Sequence, residues 1–101
     1  MEISKYVNND QTVFQLNGRL NATTAPTLEA ELKLVLESSK KIKLDFKNLV
    51  YVSSAGLRIL MVAEKISKKT GVEFTITNVS PEIMKIFEMT MISSYLKIIQ
   101  E

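Results

Sequence analysis

The chain contains no cysteine, no histidine and no tryptophan. Without cysteine there can be no disulfide, no thiol nucleophile and no thiolate metal site. Without histidine the commonest general base, the commonest metal ligand and the usual pH sensor near neutrality are missing together. A Ser-His-Asp arrangement is ruled out, and so is the GxSxG elbow of a serine hydrolase, which the sequence lacks. Chemistry at a serine would need a base or a phosphoryl donor brought by another protein. The chain therefore reads as a binding module or a substrate, not an enzyme. No GxxxxGK[ST] or GxGxxG cradle is present either, so no nucleotide or other cofactor is expected.

Other scarcities narrow the class further. Three glycines and two prolines punctuate 101 residues, and no Gly/Pro/Ser-rich linker divides them, so a single domain over 1–101 is expected. No run approaches the roughly 20 apolar residues of a membrane helix, and no charged-then-apolar leader opens the sequence. The expectation is a cytoplasmic protein with no membrane partner. A net charge of +2 is too small to argue for nucleic acid, whose binding needs a concentrated basic face. The oligomeric state is left open.

What is present is a regular alternation of strand and helix patterns. Thr12, Phe14 and Leu16 alternate with Val13, Gln15 and Asn17 as a strand over 11–17, a weaker strand over about 2–7 precedes it, and Asn8-Asn9-Asp10 between them is turn material, predicting a hairpin. Gly18 is expected to end the second strand. Thr23, Thr24 and Pro26 signal a helix start, and Leu28, Leu32, Val35 and Leu36 give residues 26–38 an apolar stripe. Ile42, Leu44 and Phe46 alternate with Lys43 and Asp45 as a strand, with Asp45 near its end. Asp45 either supports the serine-glycine loop at residues 53–56 through hydrogen bonds or is solvated.

A helix over about residues 54–69 follows, with Leu57, Leu60 and Ala63 turned inward, Ile59 and Ile66 as further candidates for that face, and Gly71 closing it. Val72, Phe74 and Ile76 mark another strand. Ser80-Pro81 opens a further helix, Ser as cap and Pro at the first helical position. Met84, Met89 and Met91 read as core filler, and residues 95–99 fit a strand or a terminal helix equally. The order β-β-α-β-α-β-α predicts an α/β fold: a small mixed sheet, with an N-terminal hairpin and parallel strands, packed with helices.

The chemistry-bearing segment is Val52-Ser53-Ser54-Ala55-Gly56-Leu57-Arg58, which joins a strand to a helix. A helix start presents unpaired N–H groups and partial positive charge, which suits a phosphoryl group. A hydroxyl there fits two readings, a plain helix cap or a modifiable residue. Arg58, Met61, Val62 and Lys65 recur at three- or four-residue spacing below it, a mixed basic and apolar stripe that suits either a partner protein or solvent.

The stretch LDFKNLVYVSSAGLRILMVAE resembles the signature of the STAS domain, specifically of bacterial anti-sigma factor antagonists. Gly18-Arg19-Leu20 with Thr23-Thr24-Ala25, and Asn78-Val79-Ser80-Pro81, resemble that family's other segments in the right order. The resemblance implies a STAS-like fold and a partner switch. The unphosphorylated protein would bind an anti-sigma factor that is also a serine kinase, freeing a sigma factor. The kinase would use ATP and Mg²⁺ to modify the serine two residues before the glycine, here Ser54, and release the antagonist. A serine phosphatase would restore it. The residues taken as the partner-binding surface are Asn21, Thr23, Ser53, Ser54, Ala55, Gly56, Arg58, Met61, Val62 and Lys65, of which Asn21 and Thr23 fit loop and cap roles equally well. The alternative is a STAS adaptor or small-ligand or nucleotide sensor with no phospho-switch. Three positions depart from the family pattern: Ser53 and Asn21 stand where aspartate is common, and Met91 where glycine is frequent.

Overall fold

Asn9 and Asp10 both take left-handed backbone conformations, φ 51° and 66°. That geometry matches the twist of a two-residue hairpin. It joins β1 (Glu2–Asn8) to β2 (Gln11–Leu20) in antiparallel register from Asn8–Gln11 to Glu2–Asn17. The computed structural model describes residues 1–101. After the hairpin come α1 (Ala25–Leu36), β3 (Lys41–Val52), α2 (Ser54–Thr70), β4 (Glu73–Thr77), α3 (Pro81–Met89), a 3₁₀ turn (Ile92–Ser94) and β5 (Ile98–Ile99). The sheet order is β1-β2-β3-β4-β5, antiparallel at the hairpin and parallel beyond it. Each parallel crossover steps the same way across the sheet, so the usual right-handed connection stacks all three helices on one face.

Side-chain alternation carries that layering. Ile42, Leu44 and Phe46 of β3 are buried under the helices, whereas Lys43 and Asp45 point to the open face and are half-buried. Phe14, Leu16, Leu28, Leu32, Leu60 and Phe87 join the same core cluster. The Phe46 and Phe87 rings meet at 6.3 Å with a 54° tilt, tying α3 to the sheet. Each such fully buried side chain contributes roughly 1.5–3 kcal/mol relative to exposure.

Gly18 does not end β2. Its φ of +111° lies inside the strand, a conformation open to a residue without Cβ, and the pairing slips just beyond it. Gly18 pairs with Leu49, but Arg19 pairs with Tyr51. A second slip falls between Gln15, opposite Asp45, and Asn17, opposite Asn48. Two irregularities therefore lengthen β3 to 12 residues, far past the expected Phe46. Past that point its inward residues are Phe46, Leu49 and Val52, three apart rather than two, so the alternation signal vanishes while the strand continues.

Helix bounds follow the sequence closely, with α1 ending at Leu36 rather than 38. Ser80 caps α3 by accepting a hydrogen bond from the Ile83 N–H at 3.2 Å. Two methionines are not core filler: Met89 and Met91 are exposed, and only Met84 packs half-buried against the core. Met91 also has φ 64°. The tail resolves into the 3₁₀ turn followed by β5, which pairs with Ile76 and Thr77. Gln100 locks it by a reciprocal amide pair with Val79, its Oε1 accepting from the N–H and its Nε2 donating to the carbonyl, both at 3.0 Å.

Candidate functional site

Ser53 follows directly from β3 and has extended backbone. Its N–H donates to the Leu20 carbonyl at 2.8 Å, its carbonyl accepts from the Leu57 N–H at 2.9 Å, and its Oγ accepts from the Gly56 N–H at 3.4 Å. Capping thus falls to Ser53. Ser54, the first helical residue, is left exposed at the start of α2. The two adjacent hydroxyls are divided between a structural role and an accessible one. No acidic residue occupies the first turn of α2, so the positive end of the helix dipole is uncompensated by the chain itself.

Gly56 explains the placement. It is buried, and a β-carbon there would lie 2.8 Å from Leu20 Cγ and 3.0 Å from Val52 Cγ1. The helix start is drawn down onto the ends of β2 and β3 as far as a bare Cα allows. Gly56 is therefore not part of an outward surface; it sets the height at which Ser54 stands. Ala55 beside it is half-buried.

The neighbouring loop is organised by Asn21 rather than by the expected Thr23 and Thr24 alone. Asn21 Oδ1 accepts from the Thr23 N–H at 3.0 Å and the Thr24 N–H at 3.1 Å. Thr24 Oγ1 accepts from the Asn21 N–H at 2.9 Å and donates to the Arg19 carbonyl at 2.8 Å. Asn21 is half-buried and Thr23 exposed. Asn21 and Ser53 each supply the acceptor oxygen that a capping aspartate would supply, without its charge.

Arg19 and Tyr51 complete this end of the sheet; both lie in segments that carry the resemblance, but nothing in the sequence signalled their contact. The Arg19 guanidinium lies 4.4 Å from the centroid of the Tyr51 ring, a cation–π contact between paired residues on β2 and β3. Asp45 serves elsewhere. It lies within β3, not at its end, and its Oδ1 accepts from the Lys47 N–H and from Asn78 Nδ2, each at 3.0 Å. It anchors the β4–α3 connection.

On α2, Ile59, Leu60 and Ala63 are buried, while Leu57 is only half-buried. The inward arc is rotated from the expected one because α2 packs on α1 as well as on the sheet; Ile59, Val62, Ala63 and Ile66 line the α1–α2 seam with Leu32 and Leu36. Arg58 and Lys65 are exposed, and Met61 and Val62 half-buried. A groove of about 320 Å³ runs along this face, with Tyr95 on its far side. Glu64 also lines it, and burial raises its carboxyl above the ordinary 4.5, an effect only partly offset by Lys68. No group of three or more His, Cys, Asp or Glu side chains is placed to hold a metal ion. No helix is long and apolar enough to cross a membrane.

The STAS domain family model matches residues 2–101. The chain is 33% identical over 76 residues to BtrV of Bordetella bronchiseptica, described as a candidate anti-sigma factor antagonist, covering 74% of this chain and 66% of that protein. It is 26% identical over 92 residues to the anti-sigma-B factor antagonist of Bacillus subtilis, covering 89% of this chain and 84% of that one. The fold superimposes on the anti-sigma factor antagonist SpoIIAA in its unphosphorylated form with a TM-score of 0.79 at 16% identity, over 99% of this chain and 89% of that one. SpoIIAA from Bacillus in its phosphorylated form gives the same TM-score of 0.79, also at 16% identity, over 99% and 91%. With its five-stranded sheet, its three helices on one face and its serine-glycine turn into α2, the chain belongs to the STAS domain family.

Proposed function

We propose that the chain is the exchangeable member of a phosphorylation-controlled partner switch in the cytoplasm. Unphosphorylated, it binds an anti-sigma factor that is also a serine kinase, and so frees a sigma factor. Phosphorylation of Ser54 releases it, and a serine phosphatase resets it. The observation that carries this reading is the exposure of Ser54 on the first turn of α2 beside a second serine that does the capping. That SpoIIAA is known in both a phosphorylated and an unphosphorylated form supports it by likeness.

The chemistry is a phosphoryl transfer to which this chain contributes only the acceptor. Ser54 Oγ forms a bond to the γ-phosphorus of the kinase's ATP, the bond to ADP breaks, and the hydroxyl proton passes to a base on the kinase. Phosphoserine carries about −1.5 to −2 charges at neutral pH. At a helix N-terminus that charge is favourable to its own domain, typically by ~0.3–1 kcal/mol, so the switch does not require unfolding. Across an interface fitted to a neutral hydroxyl the same charge and bulk oppose docking, and each 1.4 kcal/mol so lost weakens affinity about tenfold.

The test is incubation with the cognate anti-sigma factor kinase and ATP, followed by mass spectrometry of the peptide spanning Ser53 and Ser54. One phosphate on Ser54 is expected, and Ser54→Ala should abolish it. Ser54→Asp should weaken kinase binding about tenfold or more with little change in melting temperature. A phosphate on Ser53 or Thr24 would overturn the assignment of the site, and large unfolding in Ser54→Asp would overturn the helix-terminus argument.

A further inference from the structure

We propose that the α2 groove receives an acidic partner surface that places an apolar side chain between Met61 and Tyr95. This rests on the partner-switch reading and adds the chemistry of what docks. At about 100° per residue, Arg58, Met61, Lys65 and Lys68 fall within an arc of roughly 80° on one side of α2. All four line the groove, and Tyr95, carried by the 3₁₀ turn after α3, closes its other side.

Charge on this face is one-sided. Arg58, Lys65 and Lys68 are exposed, whereas the single carboxylate among the lining residues, Glu64, is turned inward. Its side chain is only 12% exposed, its Oε2 is buried without a hydrogen-bond partner, and its Oε1 lies 3.8 Å from Lys68 Nζ. Between the cations the surface is apolar, and Tyr95 is 57% exposed although the rest of its turn packs inward through Ile92 and Leu96. An apolar centre with an aromatic wall and a charged rim is the anatomy of a protein interface. The rim's sign selects a partner rich in Asp and Glu.

The geometry also couples this groove to Ser54. Arg58 is four residues on, one turn below Ser54 on the same side of the helix. Carboxylates seated on Arg58 would be brought beside any phosphate placed on Ser54, so like-charge repulsion would act on the partner itself. A basic partner would be drawn to the phosphate instead of released by it.

The experiment measures binding of the purified anti-sigma factor kinase from the phosphorylation assay to four proteins by calorimetry. These are the wild type, the double variant Lys65→Glu with Lys68→Glu, its conservative counterpart Lys65→Arg with Lys68→Arg, and Tyr95→Ala, each at about 50 and about 300 mM NaCl. Exposed charges farther apart than about 10 Å are already screened at 0.1 M, so wild-type affinity should fall severalfold or more between these conditions. The charge reversal should weaken low-salt binding about tenfold or more and flatten the salt dependence. Tyr95→Ala should weaken binding at both salts, and the arginine pair should bind like wild type. Wild-type binding that the charge reversal leaves unchanged or strengthens would overturn the acidic-partner proposal and leave the Ser54 reading standing. A folded wild type that does not bind the kinase would bring down both.

Discussion

Leu20 Cγ occupies the space into which a β-carbon on Gly56 would project, 2.8 Å away. The contact fixes α2 against the end of β2, and the Ser53 N–H to Leu20 carbonyl bond reinforces it from the other side of the same residue. The height of the helix start, and so the presentation of Ser54, depends on a side chain 34 positions earlier in the chain.

Gly56→Ala should therefore be destabilising even though alanine is the better helix former. Overpacking a filled site costs about 1–3 kcal/mol, against a helix-propensity gain of at most about 1 kcal/mol. Leu20 Cγ is the branch atom of a fully buried leucine, and Val52 Cγ1 is a methyl of a buried β-branched valine stiff at χ1, so neither can swing clear. A net loss of roughly 1–2 kcal/mol lowers the melting temperature by several degrees in a domain of this size. Thermal unfolding followed by circular dichroism checks it, and an unchanged or raised midpoint would show that α2 can lift without cost.

The serine-glycine segment was readable because its chemistry is local: a strand pattern, two hydroxyls, a glycine and a helical repeat in seven residues. Ser80-Pro81 was readable for the same reason, since a cap and an N1 proline act within one turn. The second half of β3 was not. There two pairing slips opposite Asn17 and Arg19 replace the period of two by a period of three at Phe46, Leu49 and Val52. The Arg19–Tyr51 contact was hidden with it, because that pairing exists only after the slip. Asp45 was placed at a strand end for want of those same residues. Gln100 and Val79, 21 positions apart, meet through side-chain and backbone amides that no periodicity reports.

Ser53 and Ser54 should separate cleanly under alanine substitution. Ser53→Ala removes the acceptor for the Gly56 N–H and should cost about 0.5–1 kcal/mol, the low end for a cap because the bond is long at 3.4 Å. Ser54→Ala removes an exposed hydroxyl and should stay within about 0.5 kcal/mol of wild type. Chemical denaturation of the two variants side by side is decisive. Equal losses would mean that the two hydroxyls share the cap, and the division of labour between them would be lost.

Met91 should be replaceable to advantage. Its backbone is left-handed at φ 64° and the residue is 73% exposed, so it bears the steric cost of that conformation, roughly 1–2 kcal/mol, while burying little. Glycine removes the clash but adds freedom to the unfolded chain, offsetting part of the gain. Met91→Gly should raise stability by about 0.5–1 kcal/mol, a melting shift of a few degrees upward. A fall in midpoint would mean that the methionine side chain holds the α3-to-3₁₀ corner.

Glu64 makes the pH dependence of stability testable in sign. Burial raises its folded-state pKa above the ordinary 4.5, with Lys68 pulling weakly the other way. Over the interval between those two values the folded chain holds more protons than the unfolded one, so stability falls as pH rises through it. The cost of the charged, inward-turned carboxylate is then fully present at neutral pH and relieved below about 4.5. Glu64→Gln carries no such charge, so at pH 7 it should be at least as stable as wild type, and this advantage should vanish as pH drops below the unfolded value. Glu73 does not confuse the comparison. Its pKa is lowered, chiefly by the hydrogen bond from Lys97, so its contribution is lost at still lower pH and is common to both proteins. Melting curves of the pair from pH 7 to pH 4 read the difference directly. A variant less stable than wild type at pH 7 would mean that the Lys68 attraction outweighs burial at this position.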